Sequence, residues 1–193
     1  DVGSENVLYI HLTLVPFIKA AGELKTKPTQ HSVKTMLEIG IQPNILLCRC
    51  EVPLGDENRK KIALFCNVEP HCVIEAIDAR HIYEVPVNFQ RQDISRIIQE
   101  KLQLKPFQPD LKKWNSLVDH LFDFQKTVQI GVIGKYIQVP DAYKSINESL
   151  LHGGLANGVR VKINPIDAEK IEEKDPEEWK LLESMHGILV PGG

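Results

Sequence analysis

The sequence lacks most of the features that would assign it at a glance. No run is long and apolar enough to cross a bilayer: the best stretch, Val7 to Ala20, is broken by His11, Thr13, Pro16 and Lys19. No signal-peptide pattern occurs either. Basic charge is not in excess, with 23 Lys and Arg against 26 Asp and Glu and a net charge of -3, which excludes a general nucleic-acid binder with a dominant basic footprint. A local anion site stays open, because net charge says little about one pocket. There is no internal repeat, no low-complexity segment and no G-x-x-x-x-G-K-[ST], so a stand-alone P-loop kinase is disfavoured. Gly131-x-x-Gly134 lacks the third glycine and the later acid of a dinucleotide fingerprint. Cysteine is sparse, and Cys48, Cys50, Cys66 and Cys72 run C-x-C and then C-x5-C, without the C-x-x-C knuckle of structural zinc. Cys48 follows Ile45-Leu46-Leu47 and Cys66 follows Ile62-Ala63-Leu64-Phe65, so both read as small buried side chains. The expectation is reduced thiols, a cytoplasmic compartment and no metal.

What is present is the material of an ordinary folded protein: 193 residues, 42% apolar and 25% charged, enough for one large or two small domains. Val7 to Leu12 reads as a buried strand, apolar on both faces. A helix after Pro28, a strand at Asn44 to Arg49, a helix from Asp56 to Phe65 and a strand at Cys72 to Ala76 complete a parallel-sheet alternation. Ile82 to Pro86 reads as a short extended piece. Ile94 to Leu104 and Leu111 to Phe124 read as helices around a Pro106–Pro109 loop. The pattern restarts with a strand at Val128 to Gly134 and a helix at about Asp141 to Leu151, acid-capped and ended by Gly153-Gly154. A strand at Val159 to Ile163, a helix at Glu177 to Ser184 and a strand at Gly187 to Val190 follow. The predicted class is α/β in two units, 1–122 and 123–193, with the boundary near Phe122. The charged run Lys170 to Glu178 reads as a solvated surface. A chain that opens on Asp1 and stops at Pro191-Gly192-Gly193 just after a strand reads as a piece of a longer polypeptide.

Lys25-Thr26-Lys27-Pro28-Thr29-Gln30 is the most informative stretch. Two ammonium groups precede a helix start at which Pro28 fits the first turn. Free N–H groups and the positive end of the helix dipole favour an anion there, with Thr29 and Gln30 as hydrogen-bonding groups. The chemistry fits a phosphate-binding corner; it equally fits an exposed basic loop that starts a helix. Ligands of parallel sheets sit at the carboxyl ends of strands, which draws in Arg49 and Asp78. Arg49 could hold a phosphate or stack on a base, and Asp78 could accept from a base or ribose, while a surface arginine and a loop acid remain the plain alternatives. Lys61 has a place beside the corner or on a solvated face. Gly192 and Gly193 would let a backbone N–H approach a substrate, as in an oxyanion hole, or simply form a turn.

Taken in order, Val7 to Leu12, Gly22 to Lys34, Gly40-Ile41-Gln42-Pro43, Lys61 to Val68, Gly134-Lys135-Tyr136, Pro140 to Ser145 and Leu189 to Gly193 resemble the CTP synthase family over essentially the whole chain, least so from Arg91 to Gln125. The resemblance implies a parallel-sheet, P-loop-like amidoligase domain followed by the start of a class I glutamine amidotransferase α/β domain. It implies ATP-dependent amination of UTP with ammonia from glutamine, CTP as inhibitor, GTP as activator, Mg2+ as cofactor and a homodimer or homotetramer. By the same resemblance Lys25, Thr26, Lys27, Pro28, Thr29, Gln30 and Lys61 bind the UTP or CTP phosphates. Arg49, Ile77, Asp78 and Ala79 lie at the ATP site, Gly192 and Gly193 near the glutamine oxyanion hole, and Tyr136 on the side of the ammonia passage. The family's phosphate-binding loop, magnesium-binding acids and cysteine nucleophile match no residue here. The segment alone is therefore expected to be inactive, with a non-catalytic nucleotide-binding or assembly fragment as the alternative. In animal members a helix around the position of Trp179 makes filament contacts, but Pro176 departs from the histidine expected nearby, which puts that contact in doubt here.

Overall fold

The computed structural model describes residues 2–121, 123–139 and 141–192. The chain forms two compact units, Asp1–Leu111 and Lys112–Gly193. The boundary expected near Phe122 falls on a residue outside those described.

In the first unit β1 (Ile10–Leu14), β4 (Ile45–Cys50) and β5 (Val73–Ile77) form a parallel sheet in the order β1-β4-β5. A two-stranded antiparallel hairpin, β2 (Phe17–Ile18) and β3 (Glu23–Leu24), leads from β1 into α1 (Lys27–Glu38). The register Leu12↔Leu47 and Leu47↔Ile74 decides which residues share a face. On one face Leu46, Cys48 and Val73 pack with Val33 of α1 and with Ile62, Ala63 and Cys66 of α2 (Gly55–Cys66). On the other, Ile45, Leu47 and Ile74 pack with Phe89 of α3 (Val85–Gln90) and with Ile94, Ile97 and Ile98 of α4 (Ile94–Lys101). The result is a helix–sheet–helix sandwich, the arrangement that buries both faces of a parallel sheet. Gly40 closes α1 at φ 82°, a conformation that only glycine adopts without cost, as Ile41 N donates to Met36 O.

Two expectations for this unit are corrected. The first strand starts at Ile10 rather than Val7, and it is not buried on both faces. It is a sheet edge on which Leu12 is 65% exposed, while His11 and Thr13 turn toward α1. The apolar run placed the strand but misjudged its outer face, because α3 and α4 cover β4 and β5 instead. Ile82 to Pro86 is not extended but a 3-10 turn (Ile82–Glu84) running into α3. His81 Nδ1 accepts from Tyr83 N, and Glu84 accepts from the Arg80 and His81 amides, so the helix start is capped from both sides. Pro86 then sits in the first helical turn, where its missing N–H does no harm.

The second unit holds α5 (Lys112–His120) and a parallel sheet of β6 (Thr127–Gly134), β7 (Arg160–Asp167) and β8 (Gly187–Leu189) in the order β7-β6-β8. Pro165 lies within β7, where an edge strand tolerates the lost donor. The crossover helix α6 (Lys144–Ala156) is corrected at both ends. It begins at Lys144, with Tyr143 at its N-cap and no side-chain cap from Asp141, and it runs through Gly153-Gly154. Gly154 packs directly against the start of β7: a Cβ there would meet Val159 O and Val161 Cγ2, both at 2.7 Å, so glycine is what lets the helix lie on β7. The charged run is solvated as expected, with Lys170, Glu172, Glu173, Lys174 and Glu177 exposed, and it is wound into two short capped helices, α7 (Ala168–Glu172) and α8 (Pro176–Glu183). Asp167 accepts from Glu169 N, and Asp175 from Glu177 N and Glu178 N. Among the described residues no helix is long and apolar enough to cross a membrane.

Candidate nucleotide-binding site

Both candidate clusters of the first unit lie at the carboxyl ends of its strands, on opposite faces of the sheet. On the α1 face, Thr29 is wholly buried at the start of α1. Its hydroxyl accepts from Thr13 Oγ1 and donates to Leu14 O, each at 3.1 Å, so the helix start is tied to the end of β1. Thr26, also buried, stands at the N-cap without a side-chain cap and accepts from Gln30 Nε2 at 3.1 Å. Lys25, Lys27 and Pro28 are exposed around this rigid start. Lys25 N donates to Pro16 O at 2.9 Å, which holds the loop on the strand end, and Lys25 Nζ pairs with Glu23. Lys61 of α2 also acts on that carboxylate. The Lys25 hydrogen bond first, then its charge and that of Lys61, hold Glu23 below the usual carboxylate range. Lys25, in the loop before α1, thus pairs with the same carboxylate whose charge Lys61 of α2 favours.

On the opposite face a cavity of about 740 Å³ opens over the strand ends. Its floor is Leu12, Leu47, Arg49 and Ala76, its rim Ile77-Asp78-Ala79, and its far wall Ile82, Val85, Asn88 and Phe89. Arg49 Nε donates to Asp78 Oδ1 at 3.2 Å across its mouth. Asp78 N donates to Cys50 O, which fixes the rim to β4. A further depression of about 460 Å³ over Thr13, Leu14, Cys50 and Glu51 shares Leu12, Arg49 and Asp78 with it. The apolar floor suits a planar base and the Arg–Asp mouth suits polar groups of a nucleoside.

All four residues assigned by resemblance to the ATP site, Arg49, Ile77, Asp78 and Ala79, line this cavity. Lys25 to Gln30 surround the start of α1 on the other face, and Lys61 of α2 acts on the Glu23 carboxylate beside them. The α3 wall was missed because Ile82 to Pro86 was read as extended; Pro86 one turn into an apolar run was the available signal. Glu23 was missed because a lone acid two residues before Lys25 carries no pattern.

In the second unit Tyr136 is 56% exposed, and its N–H donates to the Tyr143 hydroxyl at 3.3 Å. Gly192 follows β8 and is exposed, Gly193 lies outside the described residues, and so does Pro140 of the Pro140–Ser145 motif.

The sequence comparisons decide the family. A family profile described as CTP synthase N-terminus matches residues 1–104. The chain belongs to the CTP synthase family. It is 51% identical to the CTP synthase of Methanocaldococcus jannaschii over its whole length, which is 36% of that relative. It is 51% identical to the enzyme of Methanococcus maripaludis, over 37% of it, and 50% to that of Zymomonas mobilis, over 36%. The chain therefore spans about a third of the length of the curated relatives it matches.

Proposed function

We propose that this chain supplies two nucleotide-binding corners of an enzyme that aminates UTP to CTP, using ATP and ammonia released from glutamine. The observation that carries this reading is the uncapped, anchored start of α1 with Lys25, paired to Glu23, and Lys27 exposed around it, and Lys61 of α2 favouring the same Glu23 charge. An anion position with two lysines, uncapped first-turn amides and an anchored helix start suits the triphosphate of UTP, or of CTP as inhibitor. Glu23 occupies that charge in the free protein and gives way when the nucleotide arrives. Thr29 and Thr26 act by positioning, Gln30 and Lys27 by contact. The cavity behind Arg49, Ile77, Asp78 and Ala79 takes the adenine of ATP, with Ile77 and Ala79 against the base.

In the proposed reaction the γ-phosphoryl group of ATP passes to O4 of UTP and leaves ADP. Ammonia then attacks C4, and phosphate departs with O4. The start of an amidotransferase domain after residue 122, with Gly192 and Gly193 near the glutamine site and Tyr136 by the ammonia passage, belongs to the same proposal, as do homo-oligomer assembly, activation by GTP and a cytoplasmic setting. Mg2+ serves the same chemistry; the one cluster of three potential metal ligands among the described residues contains sulfur and nitrogen rather than the all-oxygen set that Mg2+ prefers.

The test is UTP affinity of Lys25→Ala and Lys27→Ala in the full-length enzyme. Each lost charge-assisted contact should weaken binding by about 1.5–3 kcal/mol. Unchanged affinity in both variants would remove the corner from the triphosphate site.

A further inference from the structure

The link from α2 to β5 carries a side-chain cluster that neither nucleotide corner uses. Glu69 precedes a 3-10 turn (Pro70–Cys72), in which Cys72 N donates to Glu69 O at 2.9 Å. Side chains three apart eclipse in such a turn, so Glu69 and Cys72 stand one above the other. His71 Nε2 lies 3.6 Å from Glu69 Oε2. One carboxylate oxygen, one imidazole nitrogen and the Cys72 sulfur all lie within 4.8 Å of one another. Glu69 and His71 are exposed while Cys72 has no exposed surface, so the three reach from solvent to the edge of the core.

We propose that Glu69, His71 and Cys72 form a Zn2+ site, completed by water. The mixed oxygen, nitrogen and sulfur set is one that zinc accepts and that Mg2+ and Ca2+ do not favour. A cation already stands beside the cluster: Lys101 of α4 places Nζ 2.9 Å from Glu69 Oε2. An ammonium can only accompany these donors, whereas Zn2+ bonds to them directly. On binding, the Cys72 thiol loses its proton to solvent as the S–Zn bond forms, and Lys101, still protonated, swings out. A cleft of about 400 Å³ lies alongside and reaches the cluster at Glu69 and Lys101. The four-cysteine spacing gave no hint of this, because the site takes one cysteine and finds its partners in the three residues before it.

The experiment is a Zn2+ titration of metal-stripped full-length protein against a chromophoric chelator, with Co2+ absorption as a second readout. Wild type should bind one zinc ion that His71→Ala and Cys72→Ser lose. Glu69→Gln should weaken it by more than about tenfold, the smallest loss typical of disturbing even an outer partner of a metal ligand. Lys101→Met should bind zinc more tightly, an effect that a merely structural lysine would not give. Co2+ should show a thiolate charge-transfer band that disappears in Cys72→Ser. His71 is exposed, so its variant keeps the test valid should Cys72→Ser fold poorly. Equal zinc binding by wild type and His71→Ala, or no zinc binding by wild type, would overturn the proposal.

Discussion

Arg49 at the end of β4 and Asp78 just beyond β5 meet across the mouth of the larger cavity, Nε to Oδ1 at 3.2 Å. Both side chains remain about half or more exposed, at 65% and 49%, so the pair itself contributes about 0–1 kcal/mol to stability. Its consequence lies in binding. Arg49→Ala and Asp78→Ala should each weaken ATP binding in the full-length enzyme while leaving the melting temperature nearly unchanged. A large loss of thermal stability with ATP affinity intact would show that the pair serves the fold and not the nucleotide.

For the proposed phosphate corner Glu23 gives a prediction of opposite sign. Its carboxylate competes for Lys25 and Lys61, so Glu23→Gln should tighten UTP binding where Lys25→Ala weakens it. Because the group sits below the usual carboxylate range, its ionised form is favoured in the fold. The interaction is present above the ordinary carboxylate pKa and disappears as pH falls through the lowered one. UTP titrations of both variants at neutral pH check the sign, and equal affinities would refute a competing role for Glu23.

The thiols predict behaviour at high pH. Burial, with smaller contributions from Cys50 and Cys66, pushes Cys48 up from 9.0 to about 12; burial, then Glu75 and Asp78, does the same for Cys50. The unfolded chain gives up these protons first, so the contribution to stability is complete below pH 9.0 and is lost toward about 12. Denaturant midpoints measured on either side of pH 9.0 should fall, and fall less steeply in Cys48→Val. An identical decline in that variant would put the alkaline transition elsewhere.

Gly154 allows a test of packing in the second unit. Gly154→Ala drives a methyl group to 2.7 Å from the carbonyl of Val159 and the Val161 side chain. Overpacking of this kind costs about 1–3 kcal/mol. Gly153→Ala, with open space around it, should instead be neutral or mildly stabilising. Chemical denaturation of the pair decides the matter: similar midpoints would mean that α6 can move off β7.

Much of the layout was legible because hydrophobic period and breakers agreed. Asn44 to Arg49, bounded by Pro43 and a polar turn, gave β4 to within a residue, and Pro28 gave the start of α1. Where one residue type serves two structures, the reading failed. Gly153-Gly154 looks like a helix stop, but the second glycine is a contact surface for β7, which only tertiary packing discloses. Ile82-Tyr83-Glu84-Val85 has strand-like composition, yet backbone amides donating to the Glu84 and His81 side chains wind it into a turn. Charge and Pro28 together pointed to a helix start with exposed lysines at Lys25 to Gln30, which is what the fold has. The Lys25 partner Glu23, and the cavity wall on α3, depend on chain segments meeting in space, which no local spacing encodes.

The exposed row Ile10, Leu12 and Leu14 on β1 has a practical consequence. A border strand with greasy residues and spare amide and carbonyl groups is a template for any passing chain. Preparations of this stretch on its own should self-associate as concentration rises, and Leu12→Lys should keep them dispersed.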